Sequence, residues 1–315
     1  MSTYCPFCKN ILFLFPLLFV VIFFGSCSQP EPDPLKLDRL AYVSDGIVHV
    51  TGLNDGTHTE VGSGSEPSLS FDGRYLAYVN DVGNKRRIAV LDFPNRNTFI
   101  IEDVQGTSWG PLWSPTENRF LFSATAQNNG SSHRVVIVAH AREDKKYVIS
   151  REGIDIYSPA WAPDGETVYG HDTHFLYQWE KTGMLTGHAI LTEKFGTLNY
   201  NASTKILPSA DGSQWLIGIG AEEPLNRPRR TSMSVYLFDE LNQQLQKVSP
   251  DNAFISDFTW SSDQQGVIFS GKETPSQRQN DLYLLSLADG STRRIVKNAT
   301  QPSGRAIEVA QAPKK

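Results

Sequence analysis

Ser158-Pro159-Ala160-Trp161-Ala162-Pro163-Asp164-Gly165 is the stretch whose reading decides the fold. An aromatic residue ends an apolar segment, Pro-Asp-Gly turns the chain, and a second strand-like run follows at Thr167-Val168-Tyr169. Proline fixes φ, aspartate can bond the backbone just beyond it, and glycine accepts a positive φ. The stretch has copies. Pro67-Ser68-Leu69-Ser70-Phe71-Asp72-Gly73 precedes Tyr75-Leu76-Ala77-Tyr78-Val79, and Pro111-Leu112-Trp113-Ser114-Pro115-Thr116 precedes Arg119-Phe120-Leu121-Phe122-Ser123. Ile206-Leu207-Pro208-Ser209-Ala210-Asp211-Gly212 precedes Trp215-Leu216-Ile217, and Phe258-Thr259-Trp260-Ser261-Ser262-Asp263 precedes Gly266-Val267-Ile268-Phe269. The turn falls at positions 72, 116, 164, 211 and 263, in steps of 44, 48, 47 and 52 residues. Self-similarity at that period is the signature of a propeller or array.

Composition agrees. The 315 residues include 24 Gly and 18 Pro spread along the chain, and no long segment carries apolar residues at helical spacing. Short apolar runs bounded by turn residues point to an all-β protein. Such a chain is long enough to bury a core without disulfides. The formal charge of −5 argues against a nucleic-acid binder, which usually presents a basic face.

Outward from the turns, each unit resolves into strands. Second strands are expected at 39–43, 75–79, 119–123, 167–171, 215–219 and 266–270. Third strands follow at 47–51, 88–92, 135–139, 175–179, 235–239 and 282–286, and fourth strands at 57–61, 98–102, 145–149, 188–192, 245–249 and 292–296. A four-stranded antiparallel meander is a propeller blade. The first unit lacks its own first strand, which would leave an open sheet edge. Residues 304–310 (Gly-Arg-Ala-Ile-Glu-Val-Ala) alternate as a half-buried strand should and are expected to close the ring there. The expected fold is thus a six-bladed β-propeller over residues 38–311, with a short tail at 312–315. Trp113, Trp161 and Trp260, with Leu69 at a fourth equivalent place, are expected to pack between blades. The fifth unit is the weakest copy, with Pro208 in place of the aromatic residue.

The first residues read as an address. Residues 11–24 form an apolar run broken by Pro16, Lys9 precedes it, and Gly25-Ser26-Cys27 follows. The run is shorter than the roughly 20 residues a spanning helix needs, and it fits the apolar core of a secretory signal. Small residues immediately before a cysteine resemble the lipobox of bacterial lipoproteins. That resemblance implies cleavage after residue 26, lipidation of Cys27, and a proline-rich tether over residues 27–37. Cys5 and Cys8 fall in the segment to be removed, which leaves Cys27 as the mature chain's one cysteine.

The Trp-Ser-Pro-Asp-Gly-like turns, the strand after each, and the repetition of the unit resemble the propeller of TolB and related exported repeat proteins. The resemblance covers nearly the whole mature chain and implies a binding or scaffold module at a bacterial envelope, facing the periplasm. TolB carries a separate α/β domain before its propeller, where only a tether precedes Arg39 here. Its role with peptidoglycan-associated lipoprotein is therefore not carried over.

Propeller topology places the turns between first and second, and third and fourth, strands on one face. The connections at 80–87, 124–134, 220–233 and 271–281 share the opposite face and read as long loops, where function is usually carried. They bring Lys85, Arg86, Arg87, His133, Arg134, Arg227, Arg229, Arg230, Lys272 and Arg278 to one mouth. On an acidic protein such a basic ring would steer an acidic partner, an envelope protein or a glycan. Solvated loops carrying no function are the plainer alternative. His171 and His174 flank a hairpin on the same face; exposed turn histidines are expected, with a shared metal the weaker reading. No nucleophile elbow is expected, which argues against a prolyl-peptidase-like hydrolase. There is no H-E-x-x-H, EF-hand loop or P-loop either. Asn129-Gly130-Ser131, Asn201-Ala202-Ser203 and Asn298-Ala299-Thr300 match a glycosylation pattern by coincidence in a bacterial lipoprotein.

The expectation is a lipid-anchored, exported propeller that binds protein partners, with no catalytic residues and no cofactor. The alternatives are a metal-assisted polysaccharide lyase or hydrolase using the long-loop face, and a membrane-tethered ligand sensor.

Overall fold

The computed structural model describes residues 39–304, apart from 54–55, 103, 105, 129, 143–144, 151–152, 221–231 and 275. The first meander contributes β1 (Arg39–Ser44), β2 (Ile47–Gly52) and β3 (His58–Ser63). The second is β4 (Ser65–Leu69), β5 (Tyr75–Val82), β6 (Lys85–Asp92) and β7 (Asn97–Ile100). The third is β8 (Ser108–Trp113), β9 (Arg119–Asn128), β10 (Ser131–His140) and β11 (Lys146–Val148). The fourth is β12 (Tyr157–Trp161), β13 (Thr167–His171), β14 (Phe175–Glu180) and β15 (Leu185–Ile190), followed by α1 (Leu191–Phe195). The fifth is β16 (Lys205–Pro208), β17 (Gln214–Gly220), β18 (Met233–Asp239) and β19 (Gln244–Lys247). The sixth is β20 (Phe254–Trp260), β21 (Gly266–Lys272), β22 (Asp281–Ser286) and β23 (Thr292–Val296). The last strand, β24 (Thr300–Gly304), returns to the first meander and pairs antiparallel with β1.

All pairings are antiparallel, and one β-bridge, Met233 to Ile255, also links the fifth meander's ladder to the sixth's. The chain closes on itself as expected, but with a different segment. Leu40 faces Gly304, Ala41 faces Ser303 and Val43 faces Thr300. Residues 305–310, on which the closing strand was expected, lie outside the described residues. The paired stretch itself is polar, and its pairing with β1 and contacts with the innermost strands β4 and β20, not apolar alternation, make it a strand.

The core explains why second and third strands read as nearly continuous apolar runs. Successive side chains point to opposite faces of a strand. In β5, Leu76 and Tyr78 enter a cluster with Val43 and Val50, while Tyr75, Ala77 and Val79 enter one with Trp113 and Phe122. Each meander is thus buried on both faces, and hydrophobic clusters sit at the seams between consecutive meanders. The seam between the sixth and first holds Leu40, Tyr42, Ile268 and Leu282.

The repeated turn has a device that composition did not announce. Ser70 Oγ donates to Asp72 Oδ1 at 2.6 Å and accepts the Tyr75 amide at 2.9 Å. Ser209 repeats this with Asp211 and Gln214, and Ser261 with Asp263 and Gly266. The serine bonds hold Asp211 below the usual carboxylate range, with the Ser213 amide adding to the effect. Gly165 in the fourth meander's turn has φ +67, and a Cβ there would run into Thr116 of the preceding meander's turn. Glycine is required at that position on both grounds.

Two expectations about connections change. Residues 80–87 and 124–134 are not loops. The β5–β6 hairpin pairs out to Val82 and Lys85 around a two-residue turn with Gly83 at φ +61, and the β9–β10 hairpin pairs out to Asn128 and Ser131. The strand expected at 188–192 ends at Ile190. Helix α1 takes over because Leu191 and Phe195, one turn apart, both bury fully against Trp215 and Phe238.

Candidate functional site: a collared channel mouth

The six innermost strands, β4, β8, β12, β16, β20 and β24, surround a central cavity of about 570 Å³. Each enters from the same end, and at equivalent places near its start stand Glu66, Gly110, Ser158, Lys205, Asp257 and Gln301. All six line the cavity. Four of them precede proline: Glu66-Pro67, Gly110-Pro111, Ser158-Pro159 and Gln301-Pro302. Those four have positive φ, of +51, +55, +45 and +51, at the register shifts of their strands. Positive φ is uncommon outside glycine and is held only where the surroundings dictate it. A bulge at such a place re-aims the side chain, here along the ring instead of across the sheet.

At four of the six seams the result is a collar in which one meander's side chain bonds the next meander's backbone. Gln301 Oε1 accepts the Glu66 amide at 2.9 Å. Glu66 Oε2 accepts the Gly110 amide at 2.6 Å. Ser158 Oγ accepts the Ile206 amide at 2.9 Å. Lys205 Nζ donates to Asp257 Oδ1 at 2.8 Å and to the Phe258 carbonyl at 2.7 Å. Gly110 brings no side chain to this ring.

Deeper in the wall, the tryptophans stitch the same seams. Trp113 Nε1 donates to the Ser68 carbonyl at 2.9 Å, Trp161 Nε1 to Leu112 at 3.0 Å and Trp260 Nε1 to Leu207 at 3.3 Å. Each acceptor stands one residue before the equivalent position in the preceding unit. The tryptophans are buried, so they pack between meanders as expected.

The expected basic residues part company. Arg86 reaches the collar and is neutralised there, 2.6 Å from Glu66. Arg134 lies at the mouth with its guanidinium carbon 4.9 Å from the Trp109 ring centre and 5.2 Å from that of Tyr157. Arg87 turns to the Gly106 carbonyl, and Lys272 donates to the Arg278 carbonyl at 3.0 Å. His133 is half-buried on β10, while Lys85 and Arg278 are exposed. Arg227, Arg229, Arg230 and Cys27 lie outside the described residues. The free cationic ring is therefore reduced, among the described residues, to Arg134 at the channel and exposed charges on the rim.

His171 corrects the expectation of an exposed histidine. It is fully buried; its Nδ1 accepts the Thr173 amide at 3.2 Å, which leaves Nε2–H to donate to the Thr204 carbonyl at 3.0 Å. Both ring nitrogens are engaged, and burial holds its pKa below the ordinary 6.5. His174 is exposed beside Thr173. No group of three or more His, Cys, Asp or Glu with metal-holding geometry occurs among the described residues.

One stretch, Gly106-Thr107-Ser108-Trp109-Gly110, does carry the G-x-S-x-G spacing of a nucleophile elbow, against the expectation of none. An elbow needs a strand-to-helix turn that exposes the serine. Ser108 instead opens β8, is 1% exposed and is followed by more strand.

The six-strand-lined channel decides the comparison. The fold is that of the TolB propeller. A crystal structure of TolB from Acinetobacter baumannii superposes with a TM-score of 0.63 and 17% identity, covering 85% of this chain and 67% of that one. A chain of the nidogen/laminin complex gives 0.60 and 10%, covering 85% and 98%. Enzymes share the TolB-like architecture too: an oligogalacturonate lyase in complex with manganese gives 0.51 and 14%, covering 80% and 74%. No protein-family model matches the chain.

Signals for the collar were present in the sequence. The X-Pro pairs at 66–67, 110–111 and 158–159 each stand five residues before the turn position read from the repeat, and Gln301-Pro302 is a fourth copy.

Proposed function

We propose that the chain is an exported, lipid-anchored propeller that binds a protein partner at the collared mouth of its channel. The observation that carries this reading is the channel end itself: a cavity of about 570 Å³ lined there by Arg134, Trp109 and Gly110, on the face to which the extended β5–β6 and β9–β10 hairpins run. Hairpins paired to their tips beside a preformed cavity lower the ordering cost of binding. A fold neighbour's presence in a protein–protein complex supports the reading by analogy. The cations Arg227, Arg229 and Arg230 would add long-range attraction for an acidic partner. The test is crosslinked capture from the native envelope. Changing those three arginines together to Ser is expected to weaken capture at low salt and leave melting unchanged. Equal capture by wild type and by a variant with the mouth blocked would overturn the reading.

A second reading, a metal-assisted lyase, is favoured only by the fold shared with the oligogalacturonate lyase. Metal content of the purified protein separates the two: a stoichiometric divalent ion would support the enzyme.

A further inference from the structure

We propose that the break in the collar at Gly110 is a carboxylate-binding site, with Arg134 as its receptor and an acidic side chain of a polypeptide partner as its ligand. This rests on the reading of the mouth as a protein-binding surface and names the chemistry recognised there.

Two seams lack a collar bond among the described residues, and they differ: at the other, Asp257 is present and accepts its own neighbour's amide, from Phe258, at 2.8 Å, whereas Gly110 offers no side chain. Glu66, Ser158 and Gln301 hold the same positive φ as Gly110, so the backbone conformation alone does not demand glycine at the position. A Cβ built on Gly110 meets nothing within 4 Å. Glycine therefore leaves open space between Glu66 and Ser158 where the neighbouring positions are filled.

Arg134 stands at that opening. Trp109 belongs to the third meander and Tyr157 to the fourth, so the guanidinium bridges the seam next to the gap. Two aromatic rings hold the guanidinium, and no group on the described residues takes its N–H donors as a carboxylate would, so they are available to a ligand. The charged residues lining the cavity are Glu66, Arg134, Lys205 and Asp257. Glu66 pairs with Arg86, and Lys205 with Asp257 at 2.8 Å. Asp155 accepts the Arg134 backbone amide at 2.6 Å and is exposed. Among the described residues no carboxylate pairs with the Arg134 guanidinium. The cavity thus carries one uncompensated positive charge, set beside Trp109, Pro111 and Pro159.

A planar fork with two parallel donors matches a carboxylate in a bidentate pair. Apolar walls around it exclude water on binding and so strengthen the pair. Proline and aromatic surfaces suit the apolar flanks of a peptide segment.

The test uses the exported chain without its signal, labelled with 15N, and reads the Trp109 indole N–H. The probe is pentaglutamate with blocked ends, at low ionic strength, with blocked pentaglutamine as its uncharged counterpart. Pentaglutamate is expected to shift the Trp109 signal saturably, and pentaglutamine is not. Arg134→Gln is expected to weaken binding about tenfold or more, the scale of a lost charge-assisted bond. Gly110→Gln keeps the arginine but fills the gap, and is expected to weaken binding as much. Arg278→Gln, on the exposed rim, is expected to bind as wild type. Melting curves identify any variant that fails to fold, and the two independent mouth variants keep the test decisive. The proposal is overturned if pentaglutamate gives no shift, if pentaglutamine shifts the signal equally, or if both mouth variants bind as wild type. If pentaglutamate fails while envelope capture persists and is lost on blocking the mouth, the carboxylate chemistry falls and the binding surface stands. If capture is also indifferent to the mouth, both fall.

Discussion

The Trp161 indole nitrogen donates to the Leu112 carbonyl at 3.0 Å, across the seam between the third and fourth meanders. The ring lies in the cluster that joins Leu121, Val136 and Ile156 to Val168 and Trp179. One side chain therefore supplies both the apolar contact and the polar stitch at that seam. Trp161→Ala is expected to destabilise by about 3–5 kcal/mol, through lost burial and the cavity left behind. Trp161→Phe keeps most of the packing and leaves the Leu112 carbonyl without its donor, at a cost of about 1–3 kcal/mol. Urea unfolding of both variants checks this. Two variants as stable as the wild type would remove Trp161 from any part in holding the seam.

Ring closure gives a second prediction. Strand β24 covers the edge of β1 and also touches β4 and β20, its neighbours around the channel. Ending the chain after Ala299 is expected to lower the melting temperature sharply and to promote association through the uncovered edge of β1. Ending it after Gly304 keeps the whole pairing and is expected to melt close to the full chain. Calorimetry with light scattering measures both effects. Equal melting of the two truncations would show that β24 adds nothing to closure.

A third prediction concerns acid. His171 is buried and neutral, and burial lowers its folded-state pKa. As pH falls, the unfolded chain takes up the proton first, so stability declines once pH drops below the ordinary value of 6.5 and goes on declining towards the folded-state pKa. Above that range the histidine contributes no pH dependence. Neighbouring Asp172 is also partly desolvated, which pushes its pKa up. Bonds from the Phe175 and His174 amides and the Tyr177 hydroxyl outweigh this and hold it low, so its loss comes at more acid pH. His171→Asn is expected to cost stability at neutral pH and to flatten the slope below about pH 6.5. Unfolding free energies across that range decide it; an unchanged slope in the variant would assign the pH dependence elsewhere.

The proposed anchor gives a fourth. Gly25-Ser26-Cys27 after the apolar run motivates Cys27→Ala, which is expected to abolish lipidation and move the protein out of the detergent phase or leave it uncleaved. Mass measurement of the wild-type mature N-terminus is the direct check. An unacylated N-terminus at any other residue would sink the lipoprotein reading.

The amino-acid sequence by itself determined the repeat, the all-β class and the inward tryptophans. Turn chemistry is local: Asp72-Gly73 and Asp164-Gly165 act within a few residues, and strands buried on both faces leave apolar runs that need no partner to be recognised. The second and third strands were legible for that reason. Tertiary structure decided whatever depends on which residues meet across seams. β24 reads as a polar stretch, and only its place between β1 and the channel makes it a strand. Leu191 and Phe195 fold into a helix because Trp215 and Phe238 wait beneath them. Arg86 and Arg134 look alike as loop cations. Glu66, 20 residues before Arg86, neutralises the first, while Trp109 and Tyr157, from two different meanders, hold the second open at the mouth. Charge in a sequence is additive, but its effect falls steeply with distance and solvent, and only the folded chain sets those distances.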